Sequence, residues 1–196
     1  MDTSVIIAHT RRFIELDKQE ELYFLSLLQE KKFFRKAFLL RENEICDHAA
    51  FVLSGCFRAY SIDENGVEHI LQFAPRNWWI TDMYSLLSHK PAHLNIDALE
   101  ETEALLLSRK NQEMLYQEVP KFERYFRILV ENSLVANRQR VLDNLELSAK
   151  ERYAKLCGTY PTLINSVPQK QIAAYIGVTP EFLSKMKAEY WRETSR

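Results

Sequence analysis

Four glycines and six prolines in 196 residues leave little of the chain for irregular backbone. Three cysteines, Cys46, Cys56 and Cys157, stand far apart. No CxxC pair or neighbouring histidine cluster accompanies them, which argues against a disulfide framework and a zinc site. No apolar run approaches the length of a membrane span, and the opening MDTSVIIAHTRRF lacks the apolar stretch of a signal peptide. The protein is therefore expected in the cytoplasm, reduced, with no membrane partner. The chain also lacks a nucleophile–base pair, a phosphate loop and a metal cluster. Enzymatic activity is not expected, and no cofactor is implied.

Hydrophobic residues make up 46% of the sequence and aromatics 12%, enough for a packed core. The net charge of −1 conceals an asymmetry. From Ser148 to Arg196 eight basic residues face four acidic ones, a balance of +4, which leaves −5 for the remainder. A basic module joined to an acidic one suits a polyanion-binding protein with a separate sensing domain, although ordinary fluctuation yields such a balance as readily.

Four regions follow one another. Up to about Glu30, Phe13, Leu16, Leu22, Phe24, Leu25 and Leu28 recur at near-helical spacing, and Asp17 is placed to cap a helix. From Lys32 to Ser108 the pattern changes to short apolar runs between turn signals. Phe51 to Leu53, Phe57 to Tyr60, Val67 to Phe73, Ile96 to Leu99 and Ala104 to Leu107 read as strands of an antiparallel β barrel or roll. Asn65-Gly66 between two of them predicts a hairpin whose two central residues have positive φ. Pro120 to Leu147 reads as one long helix with Pro120 in its first turn. Phe122, Phe126 and Leu129 lie on one stripe, which Val130, Leu134, Val141, Leu142 and Leu145 widen. Such a helix needs partners, and the β domain and a second copy of the helix are favoured on opposite sides over complete burial within one chain. The last region is helical and opens on the capping box Ser148 to Glu151.

The segment Gln169 to Tyr190, QKQIAAYIGVTPEFLSKMKAEY, meets the requirements of a helix-turn-helix. Ala173 is small where two helices cross, and Gly177 tolerates a left-handed turn. Ile172, Ile176, Val178, Leu183 and Met186 are spaced to lock the helices together. Thr179 is placed to cap the second helix, Pro180 to open it and Glu181 to sit in its first turn. Ser184, Lys185 and Lys187 are expected to face outward. Lys185 is the first choice for reading guanine O6 and N7, and Ser184 for a base edge or phosphate. Glu181 is placed either to accept from cytosine N4 or to serve the cap and the helix dipole. Gln169, Lys170 and Lys187 are expected on phosphates. One such motif makes a small interface, so a homodimer reading two half-sites of double-stranded DNA is expected.

From about Phe13 to Tyr190 the order of elements resembles the Crp/Fnr family of transcription factors. The phrases FVLSGCFRAYSIDENGVEHILQFAP, SAKERYAKL and VPQKQIAAYIGVTPEFLSKMK look like a branch common in Bacteroidetes-type bacteria. The resemblance implies an α+β architecture: an N-terminal antiparallel β-roll of cyclic-nucleotide-binding-like, jelly-roll type over residues 1–119, a dimerisation helix over 120–147 and a helix-turn-helix domain over 148–196. It implies a homodimer, and contact with RNA polymerase if the protein activates.

Two departures stand out. Family members that bind cyclic nucleotides pair Gly-Glu with Arg-Ser/Thr about ten residues later. Here Thr81-Asp82 and Ala92-His93 stand at those places, so nothing obvious neutralises a cyclic phosphate. Cyclic AMP and GMP are therefore not expected. An effector pocket formed by Trp79, Thr81, Asp82, Ala92 and His93 is left for another small molecule or for none. The second departure is at the end, where only AEYWRETSR follows Lys187 and the usual β-hairpin wing is expected to be reduced or absent. The competing reading is a ligand-binding β-roll whose helix-turn-helix no longer binds DNA.

Overall fold

Strands buried on both faces read as continuous apolar runs rather than alternating ones, and the central strands here are of that kind. The computed structural model describes residues 2–161, 163–165 and 167–194, with side chains for all of them except Asn165 and 188–194. Eight strands form two antiparallel four-stranded sheets. They are β1 (Leu28–Phe33), β2 (Phe38–Leu40), β3 (His48–Ser54), β4 (Cys56–Ile62), β5 (Glu68–Pro75), β6 (Trp79–Ile80), β7 (Asn95–Ala98) and β8 (Thr102–Ser108). The sheet orders are β1-β8-β3-β6 and β2-β7-β4-β5, the layout of a β-roll.

In the first sheet, β3 and β8 pair so that Phe51 lies opposite Leu105 and Ala50 opposite Leu106. Alternate residues then serve two cores. Ala50, Val52, Ala104 and Leu106 turn into the roll with Phe57, Ala59 and Ile96. Phe51, Leu53, Leu105 and Leu107 turn outward under a helical layer. That layer comprises α1 (Ser4–Thr10), α2 (Lys18–Ser26), α4 (Arg109–Glu118) and the start of α5 (Lys121–Glu146), while α3 (Met83–Ser88) lies between β6 and β7. Asp17 caps α2 in a full capping box with Glu20, as expected.

Two local expectations need correction. The first helical region ends at Ser26, and Leu28 to Phe33 is a strand paired with β8 from Leu107 to Thr102. Its four middle residues are exposed because it is an edge strand, so no apolar period betrayed it. Second, Asn65-Gly66 does not form a turn with two positive φ angles. Gly66 alone has one, 77°, and the Asp63 carboxylate accepts from the amides of Asn65 and Val67 at 2.9 Å each. A side chain thereby replaces the second left-handed residue. The capping box at Ser148 and Glu151 opens α6 (Ala149–Thr159), as expected.

Gly55, between β3 and β4, has φ +78°, and a Cβ there would stand 2.4 Å from the Glu101 carbonyl oxygen and 2.5 Å from Thr102 Oγ1. Backbone would have to move. Gly55→Ala is expected to lower stability by about 2–4 kcal/mol, combining overpacking with a left-handed φ. A urea midpoint shift worth less than ~1 kcal/mol would count against this packing.

The helical layer contains a titratable group. Trp79 Nε1 donates to the Tyr125 hydroxyl at 2.8 Å, which leaves the hydroxyl proton for His9 Nδ1 at 2.9 Å. Burial, aided by Arg12, lowers His9 to about 4. Burial pushes Tyr125 up to about 12. The fold therefore holds His9 neutral. Its contribution is present above the free-imidazole range near 6.5 and is lost as pH falls from there toward 4, because the unfolded chain takes up the proton first. His9→Gln retains an acceptor without titrating. Its melting temperature should fall less than the wild type's between pH 7 and 4, and parallel curves would exclude His9 as a cause.

The chain divides into two compact units, one of Met1–Ser61 with Gln72–Asn132, the other of Ile62–Leu71 with Ser133–Arg196. The second holds α6, α7 (Gln169–Ile176) and α8 (Pro180–Thr194). Among the described residues, no helix is long and apolar enough to cross a membrane.

Candidate nucleic-acid interface and sensor pocket

The turn between α7 and α8 is built as local chemistry requires. Gly177 ends α7 at φ 73°, ψ 43°, and its amide and that of Val178 both bond to the Ala173 carbonyl. Thr179 Oγ1 then accepts from the Phe182 amide at 3.2 Å, and Pro180 opens α8. Ile172, Ala173, Ile176 and Leu183 are fully buried, with Met186 close behind. Each apolar residue that was expected to clamp the helices does so, apart from Val178, which is half-buried.

Two arginines tie α7 into its own unit. Arg152 Nε donates to the Ile176 carbonyl at 2.9 Å, and its Nη1 to Leu147 at 2.6 Å. Arg140 of α5 donates to the carbonyls of Ile70 and Leu71. It also reaches the Tyr175 carbonyl at 3.2 Å and lies over the Tyr175 ring at 4.1 Å. The terminal carbonyls of α7, which have no intrahelical donor, thus receive charged ones. Composition offered no sign of this role for Arg140.

Gln169, Lys170, Thr179, Glu181, Ser184 and Lys185 are all exposed, so the structure brings them to solvent along α7 and the start of α8. Lys187 is different. It is half-buried, with Nζ 5.8 Å from the centre of the Tyr153 ring, and so it turns toward α6 rather than outward. Two residues beyond Lys185 on a 3.6-residue repeat is nearly the opposite side of the helix. Phe182, which the sequence reading passed over, is 52% exposed. α8 continues to Thr194, so the segment after Lys187 is helical as far as it is described; Arg196 lies outside the described residues.

The residues assigned to an effector pocket do not form one wall. Asp82 is 4% exposed and caps α3, its Oδ1 accepting from the amides of Tyr84 at 3.0 Å and Ser85 at 3.3 Å. Its Oδ2 is buried without a hydrogen-bond partner. Thr81 donates to the His48 carbonyl at 3.0 Å and lies 3.3 Å from Cys46 Sγ. Ala92 is fully buried in the roll, its amide bonded to Glu44 and its carbonyl to Asn43. His93 is exposed and stacks on Tyr84, ring centres 4.9 Å apart. Trp79 faces the other way, into the helical layer, against Phe51 and Phe126. The alternation of β6 forces this, because Ile80 fills the roll and its neighbour must point out. A cavity of about 280 Å³ opens nearby, with Leu39, Leu40, Ile96 and Leu106 on its apolar lining and Lys31, Glu44 and Asp47 among its polar lining. Cys46 links it to Thr81, but none of the five assigned residues lines it.

Residues 30–118 match the family model described as a cyclic nucleotide-binding domain. That stretch has the fold of a cyclic nucleotide-binding domain. No curated protein sequence matches the chain. Three solved structures are similar across most of their length. CLP of Xanthomonas campestris, described as a c-di-GMP-responsive global regulator, has a TM-score of 0.74 at 11% identity, covering 91% of this chain and 93% of its own. FixK2 of Bradyrhizobium japonicum has a TM-score of 0.74 at 18% identity, covering 85% and 86%. A regulator assigned to the Crp/Fnr family from Eubacterium rectale has a TM-score of 0.68 at 15% identity, covering 91% and 85%. At these identities the likeness is one of fold, and the fold is that of Crp/Fnr transcriptional regulators. Ala92, where the sequence led to the expectation that a phosphate-binding arginine is missing, is a buried methyl within this stretch.

Proposed function

We propose that the protein is a cytoplasmic, homodimeric transcriptional regulator that binds double-stranded DNA through α7 and α8. The observation that carries this reading is the turn at Gly177 with its Thr179 cap, which leaves Ser184 and Lys185 exposed beside the start of α8. A recognition helix enters the major groove by that end. Lys185 is assigned to a base edge, Ser184 to a base or phosphate, and Gln169 and Lys170 to phosphates. Lys187 is left out of this set, because its ammonium lies over Tyr153.

The second copy is assigned to α5. Leu134, Val141 and Leu145 are 67%, 59% and 78% exposed in the single chain. With Arg138 they recur at spacings of four and three, the repeat of a two-helix seam. The effector reading is narrower than the fold name suggests. Ala92 brings no charge, and His93 is turned to solvent. A cyclic phosphate would find no cation at either position. The unpartnered Asp82 Oδ2 suits a hydroxyl or amine donor on an effector instead.

Retention on duplex DNA tests the reading. It should fall steeply with salt, since each neutralised phosphate releases counterions. No retention at low salt would overturn DNA binding and favour a ligand-binding module with a remnant motif. Lys185→Ala should weaken binding to the selected operator by ~1–3 kcal/mol and relax the preference at one base pair. An equal loss on every sequence would reassign Lys185 to the backbone. Cyclic AMP should leave the melting temperature unchanged, and a rise would overturn the exclusion.

A further inference from the structure

Phe182 is the third residue of α8, and its ring is 52% exposed. The helix buries Leu183 and Met186 instead, so Phe182 lies off the packing face. Its exposed neighbours are polar, Glu181 before it and Lys185 one turn later. Among the residues of α7 and α8 whose side chains are described, from Gln169 to Lys187, no other large apolar side chain is comparably exposed. The ring is thus an isolated apolar group on an otherwise polar face, without the continuity of a protein-docking patch. Helical side chains lean toward the N-terminus of their own helix. This directs the ring toward the end of α8 assigned to the major groove.

Base edges in the major groove present mainly donors and acceptors, and the C5 methyl of thymine is their one bulky apolar group. A phenyl ring set against any other edge would strip water from a polar group without replacing its hydrogen bond. Against the methyl it buries apolar surface on both sides. We infer that Phe182 packs on a thymine methyl and selects a T·A pair at one position of each half-site, beside the base or phosphate that Lys185 reaches. The inference rests on the DNA-binding reading and adds to it a specificity that the lysine alone does not supply.

The full-length protein is first used to select its half-site from random duplexes. Each thymine of the selected site is then replaced singly by deoxyuridine, which removes only the methyl. The wild type should bind about fourfold more weakly at one position per half-site, the worth of one buried methyl group. Phe182→Ala should be indifferent to that replacement. 5-Methylcytosine paired with guanine at the same position should recover part of the loss for the wild type and none for the variant. Because Phe182 is exposed, the variant should keep the wild-type circular dichroism and melting midpoint. Equal deoxyuridine profiles for the two proteins, or a selected site without thymine at any position sensitive to Phe182→Ala, would overturn the inference while leaving DNA binding intact. Absence of retention on any duplex would remove the DNA-binding reading and the inference with it.

Discussion

Replacing Leu134 and Val141 together by glutamate should convert the protein from a dimer to a monomer at micromolar concentration. Both side chains are mostly solvent-exposed in the single chain, at 67% and 59%, so the folded protomer loses little internal packing. In a two-helix seam each would contribute roughly 1.5–3 kcal/mol of apolar burial. Two carboxylates facing their own copies would add repulsion and desolvation. Binding to a two-half-site operator should drop by ~100-fold or more, since the second helix-turn-helix loses its effective concentration. Sedimentation checks the first effect and titration of the selected operator the second. A variant that sediments as a dimer would remove α5 as the seam.

The second large effect lies in the roll. Arg58 on β4 and Asp97 on β7 are cross-strand partners, with side chains only 9% and 7% exposed. Nε and Nη2 of the arginine meet the two carboxylate oxygens at 2.7 and 3.0 Å. The Tyr60 hydroxyl reaches Asp97 at 3.5 Å, and the guanidinium lies 4.0 Å from the centre of the Tyr60 ring. Removing one member leaves the other charge buried without its counterpart, which costs about 3–5 kcal/mol. Asp97→Ala should therefore lower the urea midpoint by that amount. Arg58→Met with Asp97→Leu should recover most of the loss, because an apolar pair of similar volume has no desolvation penalty. If the single variant costs less than ~1 kcal/mol, the pair is not held in a low-dielectric site.

The helix-turn-helix was readable because its rules are local. Gly177 for the left-handed turn, Thr179 for the cap and Pro180 for the first helical position each act within a few residues. The capping boxes at Asp17 and Ser148 were readable for the same reason. Strand β1 was not, since an edge strand with exposed Gln29 to Lys32 carries no apolar alternation. The left-handed pair expected at Asn65-Gly66 gave way to the Asp63 carboxylate, a competing local hydrogen bond that the dipeptide rule ignores. Lys187 was placed outward by its charge and is turned inward by helical phase.

The β-roll shows the same division more sharply. Thr81-Asp82 and Ala92-His93 raised the expectation of a departure from cyclic-nucleotide binding by residue type alone. Their type did not reveal that Trp79 belongs to the helical layer, that Ala92 is sealed in the roll, or that one oxygen of Asp82 is left over. Sequence by itself settled the order of elements, the caps and the turn between α7 and α8, because each depends on residue identity over a short span. Tertiary structure decided which face each side chain serves, which carbonyls Arg140 and Arg152 satisfy, and where the buried ion pair sits. Those depend on strands and helices far apart in the chain, and only packing brings them within a hydrogen bond of one another.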